Sequence, residues 1–124
     1  MNLIAKIEEL SGENLYACYQ CGKCSAGCPA ISSMDILPNQ IIKLLQVGYT
    51  DDALKSKTIW ICASCFTCTA RCPKGVDLAK VMEALRQIVL RKNIDYTKVR
   101  ELSQKEIAEL PQIALVSNFR KQTA

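Results

Sequence analysis

The chain carries the run C-x2-C-x2-C-x3-C-P twice. One copy is Cys18, Cys21, Cys24, Cys28 and Pro29; the other is Cys62, Cys65, Cys68, Cys72 and Pro73. Together they use all eight cysteines. Three cysteines at successive three-residue steps require a tightly coiled loop that presents three thiolates around one centre. The intervening backbone N–H groups are then left pointing inward, toward whatever the sulfurs hold. The fourth cysteine follows one residue late and is rotated away, and the proline after it fixes the exit and cannot continue the turn.

This spacing is the bacterial-ferredoxin ligand run for a cubane [4Fe–4S] cluster, and inward N–H groups suit it by hydrogen-bonding the cluster sulfurs. In two-cluster ferredoxins the fourth cysteine of each run ligates the other cluster. The expected ligand sets are therefore Cys18, Cys21, Cys24 and Cys72 for cluster 1, and Cys62, Cys65, Cys68 and Cys28 for cluster 2. Crossed ligation would tie the two halves together and make folding depend on metal. The competing reading is a pair of structural zinc sites in an interaction module. Zinc knuckles use paired C-x2-C units, so neither the third regular cysteine nor the C-P ending fits them.

Histidine is absent, which removes Rieske centres, histidine-ligated haem and His-containing zinc sites. Sixteen Lys and Arg against twelve Asp and Glu give a formal charge of +4 with the cysteines counted as neutral. A cubane with its four thiolates carries a net charge of roughly −2, so two of them would bring the loaded protein close to neutral. The basic balance is thus compensation, and no Lys/Arg block with interleaved aromatics marks a nucleic-acid footprint. Acids appear too early after Met1 for a signal peptide, and no apolar run is long enough to span a bilayer. Cysteines without a signal point to metal rather than disulfides, and a reducing cytoplasm is the expected compartment.

At 124 residues the chain is expected to be a single dicluster domain, 1–124, with 111–124 a tail that either folds back over its own core or, the favoured reading, docks on a partner. No stretch alternates with period two, so the fold class is all-α, a helical ferredoxin domain with short helices around two cluster loops. A helix is expected over Asn2–Leu10, with Leu3, Ile7 and Leu10 inward and Ser11-Gly12 as its stop. Pro38 opens another, with the stripe Ile41, Ile42, Leu44, Leu45 and Val47 ended by Gly48. Asp51 or Asp52 is read as the cap of a short helix toward Lys55. The clearest helix begins at the cap Asp77, carries Leu78, Val81, Met82, Leu85, Ile88 and Val89 on one face, and ends near Asn93. Asp95 is read as capping one more, with Val99, Leu102, Ile107 and Leu110 inward, broken at Pro111. The repeat is expected to be narrow, covering the cysteine runs and their approach (Tyr16 matching Trp60) and nothing beyond.

Among the residues beside the runs, Tyr16 and Tyr19 are expected to lie as a lid over cluster 1, and Trp60 and Phe66 to pack around cluster 2. Lys23, Arg71 and Lys74 read as solvated surface charges. The tail residues Ile113, Ala114, Leu115, Val116 and Phe119 are dense for a chain end and need a surface to cover.

The segments CYQCGKCSAGCP and IWICASCFTCTARCPKGVDLAKVMEALR resemble the C subunit of heterodisulfide reductase, and more broadly the helical ferredoxin domains of fumarate reductase and succinate dehydrogenase. The resemblance runs from about Tyr16 to Arg91 and touches the tail. It implies an electron-transfer subunit relaying electrons through two [4Fe–4S] clusters, from a flavin-containing A-like subunit to a catalytic B-like subunit with CCG repeats. The chain itself has neither CCG repeats nor a glycine-rich dinucleotide fingerprint. It is expected to be part of an oxidoreductase complex without being catalytic alone. The alternative is a free, diffusing dicluster ferredoxin.

Overall fold

The computed structural model describes residues 2–92 and 97–123, with side chains described as far as residue 120. Every regular element among the described residues is helical. They form two compact units, residues 1–92 and 93–124.

In the first unit, α1 (Leu3–Ser11) starts from the cap Asn2, whose side chain accepts from the Ile4 N–H, and stops at Gly12 with φ 71°. Its inward face is Leu3, Ile4, Ile7 and Ser11. Leu10, expected inward, is exposed because the face is set by Ile7 and advances one turn to Ser11. A 3-10 turn (Leu15–Ala17) leads into the first cysteine run, which contains α2 (Lys23–Ala26). The helix α3 (Pro38–Val47) begins with proline at its first position and buries Pro38, Ile41, Ile42 and Leu45, with Leu44 packed partly against the core. Val47 faces solvent, and Gly48 ends the helix in a left-handed conformation.

Next, α4 (Thr50–Lys55) is preceded by Tyr49 as its cap residue, and Asp51 and Asp52 lie in its first turn rather than capping it. There their charges complement the helix dipole. The approach α5 (Thr58–Ile61) enters the second run, which contains α6 (Thr67–Arg71). The long α7 (Leu78–Leu90) is capped by the Asp77 carboxylate accepting from Lys80 N–H and ends at Arg91, slightly before Asn93. It buries Leu78, Ala79, Val81, Met82, Ala84, Leu85 and Ile88 against α1, α4 and α5. The two cysteine runs meet where α2 packs on α6.

The halves match far beyond the cysteines. Cys62 stands 44 residues after Cys18, but the loop from Cys28 to Pro38 is four residues longer than that from Cys72 to Leu78. After it the spacing becomes 40, and α3 overlays α7 in sequence. Pro38, Ile41, Ile42 and Leu45 then correspond to Leu78, Val81, Met82 and Leu85, and all eight are buried. The expectation of a narrow repeat fails because the four extra residues shift the register of everything behind them.

In the second unit, a 3-10 turn (Val99–Glu101) precedes α8 (Gln104–Glu109). Ser103 and Glu106 form a reciprocal capping box. One longer helix led by Asp95 was expected; that residue lies outside the described ones. Val99, Leu102 and Ile107 are half-buried and Leu110 is exposed. Pro111 separates α8 from α9 (Gln112–Thr123), on which Ile113, Val116 and Phe119 are exposed.

Candidate metal centre

Both cysteine runs adopt the same backbone. Gln20 (φ 63°) and Gly22 (φ 78°) are left-handed in the first; Ser64 (φ 54°) and Phe66 (φ 60°) occupy the equivalent places in the second. Left-handed turns on either side of Cys21 and Cys65 coil the loop, as the cysteine spacing requires. That Gln, Ser and Phe hold a conformation normally left to glycine shows that the surrounding structure imposes it.

Each run is then bolted to the helix that follows it. The Ser25 hydroxyl donates to Asn39 Oδ1 at 2.5 Å and accepts from the Asn39 N–H at 3.1 Å, tying the first run to the head of α3. The equivalent Thr69 hydroxyl donates to Asp77 Oδ1 at 2.8 Å, at the head of α7. Asp35 fastens the entry to the second run, accepting from Lys57 N–H at 3.0 Å, Thr58 N–H at 3.1 Å and the Thr58 hydroxyl at 2.9 Å. Glu13, just before the first run, accepts from Asp77 N–H at 3.2 Å and pairs with Lys80 at 3.5 Å.

Thiols of both runs line one pocket. An apolar pocket with about 470 Å³ of empty space, its mouth included, is lined by Cys62, Cys65 and Cys68 together with Cys28 of the other run. Phe66, Met34, Leu78 and Met82 line it too. On the other side, desolvation raises the Tyr19 phenol, and its hydrogen bond to Cys21 and the nearby sulfurs of Cys21, Cys72 and Cys18 raise it further. The sulfur of Cys72 thus acts on the same phenol as Cys18 and Cys21.

Within each run the cysteines differ in cover. Cys24 is 7% exposed, whereas Cys21 and Cys65 are open to solvent. Burial pushes the Cys24 and Cys68 thiols up, and the Cys68 thiol also feels Cys62 and Cys24. The Thr67 hydroxyl and N–H pull the Cys65 thiol down. Among the described residues, no three His, Cys, Asp or Glu side chains are close enough together to hold a single metal ion.

The aromatic neighbours are more open than expected. Tyr16 and Tyr19 are 60% and 56% exposed, and Tyr19 carries Lys74 Nζ 5.7 Å above its ring. Phe66 lines the second pocket yet is 54% exposed, while Trp60 is half exposed and lines no wall of it. Gln46 and Arg86 are among the residues of the site that escaped the sequence reading. Each reaches back from its helix to the carbonyls at the entry to a cysteine run. Their matched places on α3 and α7, visible once the spacing of 40 is applied, were the signal for them.

Comparison with known proteins agrees with the site. The family described as "4Fe-4S dicluster domain" matches residues 14–76. The iron-sulfur C subunit of the CoB–CoM heterodisulfide reductase of Methanopyrus kandleri is 36% identical over 85 residues, 68% of this chain and 44% of that protein. The C subunit of the H(2):CoB-CoM heterodisulfide,ferredoxin reductase of Methanothermobacter marburgensis is 35% identical over 81 residues, covering 65% and 44%. A protein of Archaeoglobus profundus that is like the heterodisulfide reductase C subunit is 38% identical over 84 residues, covering 67% and 45%. The chain therefore spans less than half the length of these relatives. No helix among the described residues is long and apolar enough to cross a membrane. With two four-cysteine runs on a repeated helical frame, the chain belongs to the 4Fe–4S dicluster family as a protein similar to the heterodisulfide reductase C subunit, carrying two [4Fe–4S] clusters in an electron-transfer role.

Proposed function

We propose that the chain relays electrons inside a heterodisulfide-reductase-like complex, between a flavin-containing A-like subunit and a catalytic B-like subunit with CCG repeats. Supporting this is the pairing of two cluster sites in one small unit with relatives whose names are those of such subunits. Bound clusters supply one-electron uptake and release. The protein's own residues hold them: Cys18, Cys21, Cys24 and Cys72 at one site, and Cys62, Cys65, Cys68 and Cys28 at the other. The pocket that unites Cys28 with Cys62, Cys65 and Cys68 supports this crossing. Cys72→Ser should then damage the cluster of Cys18, Cys21 and Cys24; loss of the Cys62 cluster would overturn the assignment.

No residue of the chain is assigned a catalytic role on a substrate. Reduced protein alone should leave a heterodisulfide intact, and adding the A-like and B-like subunits should restore its reduction. Steady turnover by the pure chain would refute the relay reading. The tail 111–124 is assigned to docking on a partner subunit, supported by the exposure of Ile113, Val116 and Phe119 on α9. A stop after Leu110 should leave both clusters and the thermal midpoint in place while abolishing assembly. Loss of clusters and fold would instead place the tail in the core.

A further inference from the structure

Gln46 and Arg86 perform one task in the two halves with different charge. Gln46 Nε2 donates to the carbonyls of Leu15 at 2.8 Å and Cys18 at 2.9 Å. Arg86 Nη1 donates to the carbonyls of Ile59 at 3.1 Å and Cys62 at 2.8 Å, and Nη2 reaches Ser64 Oγ at 3.1 Å. Leu15 corresponds to Ile59 and Cys18 to Cys62, so the frame is the same. A neutral amide closes it in the first half and a guanidinium in the second.

We propose that Arg86 makes the cluster bound by Cys62, Cys65 and Cys68 the higher-potential member of the pair, giving the relay a built-in downhill step. Reduction adds negative charge to a cluster, and a fixed cation stabilises that form where a neutral amide does not. Arg86 is half-buried and has no carboxylate partner among the described residues, so neither solvent nor an ion pair cancels its charge. The other cations near the runs, Lys23, Arg71 and Lys74, are all exposed and screened. Of the nearby carboxylates, Asp35 is exposed and Glu13 and Asp77 are paired with Lys80.

This rests on the relay reading, and its test stands apart from the ligand crossing because Cys62, Cys65 and Cys68 belong to one site either way. The measurement is an anaerobic redox titration of the loaded protein followed by electron paramagnetic resonance. Arg86→Gln copies the first half's frame and should lower the higher midpoint. The reduced-to-oxidised ratio of that cluster at fixed potential should fall about tenfold, as for removal of a unit charge on the order of 10 Å away at an effective dielectric near 20. Arg86→Lys, which keeps the charge, should retain most of the midpoint. Gln46→Arg should raise the lower midpoint. Unmoved midpoints in Arg86→Gln, or a fall in the lower one, overturn the proposal. If Arg86→Gln loses its cluster, Gln46→Arg decides, and a lower midpoint that stays in place overturns it.

Discussion

Gly27 and Arg71 stand at equivalent places in the two cysteine runs, and the Arg71 side chain lies against the Gly27 backbone. A Cβ at Gly27 would fall 2.8 Å from the guanidinium carbon and closer still to Nη1 and Cδ. The runs therefore meet asymmetrically where α2 packs on α6, the glycine of one half receiving the arginine of the other. Gly27 has φ −102° and ψ 0°, which alanine adopts without strain, so the glycine is there for space.

Gly27→Ala should displace the Arg71 side chain and cost about 1 kcal/mol, and that cost should vanish in an Arg71→Ala background, as contacting residues couple by about 0.5–3 kcal/mol. Thermal loss of cluster absorbance in the four proteins of the cycle measures it. Additive effects would show that the two residues do not share the space.

The left-handed positions predict opposite responses. Gly22→Ala places a side chain at φ 78° and should destabilise the first loop by about 1 kcal/mol. Phe66→Gly relieves the same conformation in the second loop and should leave the midpoint of cluster loss unchanged or raised.

Asp35 gives an acid limb. Its carboxyl is held below the usual carboxylate range chiefly by the Lys57 N–H, then by the Thr58 hydroxyl and N–H groups. A lowered carboxylate value contributes stability above its unfolded value of 3.8 and loses it as pH falls through the folded one. Asp35→Asn should lower the thermal midpoint at pH 7, and the difference from the parent should shrink as pH falls below about 4.

Iron removal exposes the thiols to titration. Cys24 and Cys68 are raised above the ordinary 9.0 by burial, so their contribution to the iron-free fold is full below that value and is lost as pH climbs past it. Circular dichroism of iron-free protein should show weakening above pH 9, and limited alkylation at neutral pH should mark Cys65 first and Cys24 and Cys68 last. Equal labelling of all eight would show that no fold survives without metal.

The coil of each cysteine run was legible because a run is local: its spacing alone dictates the turn. The faces of α7 and α3 were legible for the same reason, each carrying its buried residues at helical spacing. The framing residues were not. Gln46, Arg86 and Asp35 act on backbone groups 22 to 31 residues away, and nothing beside them in sequence announces those partners. The continuation of the repeat through α3 and α7 was hidden by four extra residues before Pro38, which broke the register on which a comparison of halves depends. Leu10 misled because two helical positions compete for one face and the core chose Ser11.

The unequal cover of the cysteines also sets where oxygen does harm. Cys24 is buried and Cys68 half-covered, while Cys21 and Cys65 reach solvent and would hold the open side of a bound cluster. With clusters bound, the exposed Cys21 and Cys65 would be where a partner comes nearest and where dioxygen or a chelator has access. A partner seated over Cys21 or Cys65 would be a shield as well as a redox contact, and bleaching in air should slow when the complex assembles.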